Sequence, residues 1–85
     1  MKKHALFYNK YCFFCQKVLL RLKKAQHDIE LRSISEEDNF RELQKGGGKT
    51  QVPCLKIVDA DQAAATWMYE SDDILSYIVN NNLLK

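Results

Sequence analysis

Two cysteines three residues apart, Cys12 and Cys15, stand where one periodicity gives way to another. Before them runs an apolar stretch, Ala5-Leu6-Phe7-Tyr8. After them apolar residues recur at three- and four-residue steps, as on one face of a helix. Strand, then C-x-x-C, then helix is an order that points to thiol–disulfide chemistry. Residues three apart on a helical turn bring their Cβ atoms to about 5–6 Å, so a small adjustment lets the sulfurs bond. Cys12 is expected at or just before the first turn, where unpaired N–H groups and the helix dipole favour an anion. Cys15 is expected one turn in, facing the protein. The first thiol is predicted to ionise readily and attack, and the second to resolve the mixed disulfide.

The same spacing also occurs in zinc knuckles, but zinc normally takes four ligands, usually from a second close pair of Cys or His. Here only Cys54, His4 and His27 remain, and no two of them are close in sequence. A purely structural disulfide is disfavoured as well, because so short a loop constrains the unfolded chain very little.

Eighty-five residues make one small domain spanning residues 1–85, large enough for one core. A hydrophobic share of 46% and a charged share of 28% are those of an ordinary globular protein. The net charge of +2 is too small to suggest a nucleic-acid partner. No stretch approaches the ~18 apolar residues of a membrane span. Met1-Lys2-Lys3-His4 is basic, but the apolar run after it is cut short by Asn9-Lys10, so it reads as a strand rather than a signal peptide. Three cysteines, an odd count, argue against a secreted disulfide framework. The expectation is a cytoplasmic monomer with no membrane partner and no metal, in a compartment where C-x-x-C is more often catalytic than structural.

His4 to Tyr8 is predicted to be a buried strand, and Asn9-Lys10-Tyr11 the loop that delivers the cysteines. A helix follows from about Phe13 to Ala25, with Phe14, Val18 and Leu22 beside Cys15 and Leu19 as its apolar stripe. Lys17, Arg21, Lys23 and Lys24 fall mostly on a solvated face. Ile29-Glu30-Leu31-Arg32 alternates and reads as a strand, parallel to the first across a helical crossover. Ser35 reads as an N-cap with an acidic first turn behind it, opening a helix to about Lys45 that Gly46-Gly47-Gly48 ends. Those glycines follow a helix and precede a strand, the wrong order for a phosphate-binding loop.

Val52 to Val58 reads as a third strand with Pro53 near its start. Asp59 to Ala63 is its turn, and Ala65 to Tyr69 a fourth strand closing an antiparallel hairpin. Ser71 is a plausible N-cap for the last helix. Ile74, Leu75, Ile78 and Val79 form that helix's apolar face, and Asn80-Asn81-Asn82 its fraying end. The outcome is an α/β fold of order βαβ-α-ββα, a four-stranded mixed sheet with three helices.

Three separated motifs now agree, and the chain resembles a glutaredoxin. They are Cys12-Phe13-Phe14-Cys15 after a strand, Thr50-Gln51-Val52-Pro53, which is similar to the family's T-V-P segment with its cis proline, and Tyr69-Glu70-Ser71-Asp72-Asp73-Ile74, which is similar to the segment that grips glutathione. The Q-V-P and E-S-x-D-I forms also resemble the glutathione-transferase-like branch, whose N-terminal domain has this fold. The resemblance covers nearly the whole chain. It implies a thioredoxin-like fold and a glutathione-dependent thiol–disulfide oxidoreductase. Glutathione would be the co-substrate, and proteins carrying disulfides or glutathione mixed disulfides the partners.

By that resemblance Cys12 is the nucleophile and Cys15 the resolving thiol. Glutathione carries two carboxylates and one ammonium, so its site needs donors at two places and an acceptor at a third. The start of the last helix and the Ser71 hydroxyl suit the γ-glutamyl carboxylate. Glu70 or Asp72 suits the ammonium, the backbone of Val52 before Pro53 the cysteinyl part, and Gln51 or Lys10 the glycine carboxylate. Lys10 also stands close enough in sequence to add positive charge near Cys12.

The chain departs from the family in three places. Phe13 replaces the usual proline after the first cysteine. Asn9, not Lys10, occupies the place of the usual basic residue. Thr50 stands where a basic residue often precedes T-V-P. Two alternatives remain at this level: a carrier of a [2Fe–2S] cluster ligated by Cys12 and glutathione, and an electron donor served by thioredoxin reductase. Bulky Phe13 argues against the first, and Glu70-Ser71-Asp72 against the second. Cys54 reads as a buried strand residue or a site of regulatory oxidation.

Overall fold

The computed structural model describes residues 2–62 and 64–85. Met1 and Ala63, the second of which closes the expected Asp59–Ala63 turn, lie outside the described residues. In chain order the elements are β1 (Lys2–Tyr8), α1 (Phe13–Lys23), β2 (Glu30–Ser33), α2 (Glu37–Gly47), β3 (Cys54–Asp59), β4 (Thr66–Met68) and α3 (Ser71–Asn80). The expected βαβ-α-ββα order is therefore present. The fold is thioredoxin-like, a four-stranded mixed sheet in the order β2-β1-β3-β4.

Central β1 explains its own composition. Leu6 faces one side of the sheet and Ala5 and Phe7 the other, and all three are buried, as a strand covered on both faces requires. Leu6 joins Val18 and Leu22 of α1, Ile74 and Ile78 of α3, and Leu55 and Ile57 of β3 in the larger core. Ala5 and Phe7 meet Leu43 of α2 and Cys54 in a smaller one. Helices α1 and α3 thus pack on one face and α2 on the other. Glu42 reinforces α2 by accepting from Arg32 Nη1 of β2 at 2.9 Å and Lys56 Nζ of β3 at 2.7 Å.

Topology carries the chemistry to one end of this sheet. β2 runs parallel to β1, with Leu6 opposite Leu31. β3 runs antiparallel to β1, so its start lies beside the end of β1, and Phe7 pairs with Cys54. β4 runs antiparallel to β3, so its end returns to the same place, with Met68 opposite Leu55. The loop after β1, the Val52–Pro53 segment before β3 and the Tyr69–Ser71 segment after β4 therefore meet.

Several local expectations are corrected. β1 begins earlier, at Lys2, and the last strands are shorter, leaving Val52, Pro53, Ala65 and Tyr69 outside them. Ser35 is not an N-cap: its hydroxyl pairs with that of Ser33 at 2.8 Å, and Glu36 occupies the cap position with no side-chain capping bond. Ser71 is likewise the first residue of α3, with Glu70 at the cap. Gly46 and Gly47 continue α2 instead of ending it; Gly48, at φ +80°, is the left-handed residue that stops it. The reason is tertiary. A Cβ on Gly46 would lie 2.1 Å from Trp67 Cζ2, and one on Gly47 2.0 Å from Tyr69 Oη. Only glycine lets the last turn of α2 sit on those two rings.

Candidate functional site

Cys12 occupies the N-cap of α1, extended at φ −88° and ψ 123°. The loop before it is tied down locally. The Cys12 amide donates to the Asn9 carbonyl at 3.0 Å, the Tyr11 amide to Asn9 Oδ1 at 3.0 Å, and Gln16 Nε2 to the Lys10 carbonyl at 2.6 Å. The Cys12 sulfur is half-buried and takes the role that an N-cap side chain usually fills with oxygen. It accepts from the Cys15 amide at 3.4 Å, satisfying one of the helix's unpaired donors. On its other side the thiol donates toward the Val52 carbonyl at 3.8 Å. Val52–Pro53 is a cis peptide, as the resemblance implied.

Cys15 is fully buried, and the Asn9 amide donates to its sulfur at 3.5 Å. Burial pushes the Cys15 thiol up to about 12, with the neighbouring Cys12 adding to the rise and the Asn9 amide opposing it. Burial likewise pushes the Cys54 thiol up to about 11. Thiolate, not thiol, is the nucleophile. Of the three free cysteines, only Cys12 combines access with a helix-end donor. Cys54 is enclosed between Pro53 and the smaller core, which removes the exposure that a site of regulatory oxidation needs.

Next to Cys12 lies a groove of about 200 Å³, lined by Phe14, Gln51, Val52, Pro53, Tyr69, Glu70, Ser71 and Asp72. Six of the residues named from sequence thus share one concavity. At its far end α3 begins. Glu70 makes no capping bond, so the first N–H groups of α3 keep their capacity for an anion. Ser71 is buried there. Asp72 is exposed and ion-paired with Lys17 Nζ at 2.6 Å. Lys10 does not line the groove; its ammonium lies 5.1 Å over the Tyr11 ring.

Phe14 falls on the apolar stripe of α1 and also in the aromatic run Tyr11, Phe13, Phe14 that leaves apolar surface beside the thiol; it takes the second role, 57% exposed and forming a wall of the groove. Tyr69 forms another wall. Its hydroxyl donates to the Lys49 carbonyl at 3.3 Å, and Lys49 Nζ lies 5.5 Å over its ring. The aromatic run through the C-x-x-C, longer than one apolar stripe needs, was the available signal for Phe14. Tyr11 and Phe13, at 84% and 77% exposed, extend that apolar surface around Cys12. Among the described residues no three His, Cys, Asp or Glu side chains converge as metal ligands would, and no helix is long and apolar enough to cross a membrane.

Comparison with known proteins fits this geometry. The family model of the glutathione S-transferase N-terminal domain matches residues 6–82. Among solved structures, the solution structure of oxidised thioredoxin from Plasmodium falciparum superposes with a TM-score of 0.56 at 13% identity, covering 96% of this chain and 81% of that one. That likeness is one of fold. The comparison with curated proteins gave no significant match.

Proposed function

This chain belongs to the glutathione S-transferase N-terminal domain family and has a thioredoxin-like fold, a combination that points to thiol-based redox chemistry; from that premise we propose that it is a glutaredoxin-type, glutathione-dependent thiol–disulfide oxidoreductase. The observation that carries this reading is the groove. It starts at the Val52 carbonyl beside Cys12 Sγ and ends at the uncapped start of α3. A tripeptide laid along it would bring its central sulfur to Cys12 and its γ-glutamyl carboxylate to the N–H groups of Ser71 and Asp72.

In the proposed reaction the Cys12 thiolate attacks the glutathione sulfur of a protein–glutathione mixed disulfide. The old S–S bond breaks, the protein sulfur leaves and takes a proton, and Cys12 keeps the glutathionyl group. A second glutathione, as thiolate, attacks that sulfur, yielding glutathione disulfide and restoring Cys12. The net electron pair comes from glutathione. When the substrate is a protein disulfide, Cys12 first forms a mixed disulfide with one substrate sulfur and frees the other as a thiol. Cys15 then attacks the Cys12 sulfur, releases the second substrate thiol and leaves a Cys12–Cys15 bond, which two glutathiones reduce as they become glutathione disulfide. A thiol pushed up to about 12 makes that second route dependent on proton removal from Cys15. The mixed-disulfide route avoids this step.

Val52 would pair through its backbone with the cysteinyl part, beside Pro53. Gln51, at the groove's edge, suits the glycine carboxylate; Lys10 would have to leave the Tyr11 ring to share it. Glu70 and Asp72 are the candidate acceptors for the ammonium. The test is a glutathione-coupled assay on a small mixed disulfide, with glutathione titrated calorimetrically. Turnover and binding are expected. An electron donor served by thioredoxin reductase would show neither.

A further inference from the structure

Lys17 stands on α1 one turn beyond Phe14 and reaches across to α3, with Nζ 2.6 Å from Asp72 Oδ1. Asp72 lines the groove and Lys17 does not. In the proposed site Asp72 is an acceptor for the ammonium of glutathione, yet it already holds an ammonium, that of Lys17. The two side chains are 45% and 82% exposed. Water screens such a pair, so opening it costs little, no more than a few-fold in an equilibrium constant. Asp72 and the uncapped N–H groups at the start of α3 present an acceptor beside donors, the complement of an α-amino-acid end.

We infer that Lys17 is a specificity-determining residue that acts through Asp72: it stands in for the ligand's ammonium and is displaced by it. This rests on the glutathione reading. A ligand bringing an ammonium exchanges one ion pair for another. A ligand with the carboxylate alone leaves the Lys17–Asp72 pair closed and is indifferent to it. Lys17 thus lowers the affinity for the zwitterionic end to a level where product leaves, without touching the sulfur chemistry.

The experiment measures binding of reduced glutathione and of its deaminated analogue, glutaryl-cysteinyl-glycine, by calorimetry. The proteins are the wild type, Lys17→Met, Lys17→Arg, Asp72→Asn and the Lys17→Met/Asp72→Asn double variant. Lys17→Met is expected to bind glutathione roughly two- to five-fold tighter and the analogue unchanged. Lys17→Arg should restore the wild-type ratio. Asp72→Asn should weaken glutathione selectively and cancel the effect of Lys17→Met in the double variant, the coupling expected of residues acting as a pair. Glutathione binding that Lys17→Met leaves unchanged or weakens overturns the inference, as does an equal shift for both ligands. An Asp72→Asn variant with wild-type affinity overturns it by assigning the ammonium to Glu70. Absence of glutathione binding in every protein overturns the glutathione reading itself, and this inference with it.

Discussion

The amide of Cys15 donates to the sulfur of Cys12 at 3.4 Å, so the accessible thiol caps the helix that buries the other. One turn of α1 gives the two sulfurs opposite surroundings, one accessible and one buried. Cys12→Ser is expected to reduce turnover of a small glutathione mixed disulfide to the uncatalysed background, because the nucleophile is gone. Cys15→Ser should keep substantial activity on that substrate and lose it on protein disulfides. Turnover retained by Cys12→Ser would reverse the assignment.

Alkylation should distinguish the three thiols. Burial holds Cys15 at about 12 and Cys54 at about 11, so both stay protonated at neutral pH and remain so at pH 9. Iodoacetamide is expected to add one group per native chain, at Cys12, and three after unfolding in guanidinium. Mass spectrometry reads both numbers. Labelling of native Cys54 at the rate of Cys12 would contradict its burial.

Gly46→Ala should invert the usual sign of a glycine-to-alanine change in a helix, which is normally a gain of about 0.5–1 kcal/mol. The new Cβ would meet the Trp67 ring at 2.1 Å, and overpacking of this kind costs about 1–3 kcal/mol. Gly48→Ala meets no atom but keeps φ at +80°, costing about 1–2 kcal/mol. Urea unfolding measures both.

Much of this architecture was legible in the sequence, and the parts that were not share a cause. The crossover and the hairpin follow from local periodicity and short connections, so β1, α1, β3 and β4 were anticipated within a few residues. The end of α2 was not, because three glycines read as a stop until the rings of Trp67 and Tyr69 are brought against them. Ser35 and Ser71 each satisfied the local rule for a cap, but Ser35 is taken by Ser33 and Ser71 is drawn into the helix. In the site, the order of the three motifs located the groove. The Lys17–Asp72 contact, between residues far apart in sequence, left no local signal.

His4 predicts a pH dependence of stability. Its Nε2 lies 2.9 Å from Tyr77 Oη, joining β1 to α3. Desolvation first, and then nearby Lys2, lower its pKa from 6.5. The unfolded chain therefore binds a proton more readily than the folded one. That contribution to stability is complete above pH 6.5 and is lost as pH falls from there through the lowered folded value. The thermal midpoint should drop over that window in the wild type and drop less in His4→Gln. An equal drop in both proteins would exclude His4 as the source.

Leu43→Ala tests the attachment of α2. Leu43 is the buried residue of that helix and meets Ala5, Phe7 and Cys54. Its truncation should cost about 2–5 kcal/mol in chemical unfolding. Because Tyr69 sits against the same helix at Gly47, affinity for glutathione should fall as well.

The burial of Cys15 and Cys54 also limits what the folded protein can become when reductant runs out. Each molecule turns a single thiol outward, at the tip of α1 amid Tyr11 and Phe13. That thiol can close inward on Cys15 or bridge to its twin in a second molecule. With no second outward thiol to continue a chain, cross-linking between molecules stops at pairs.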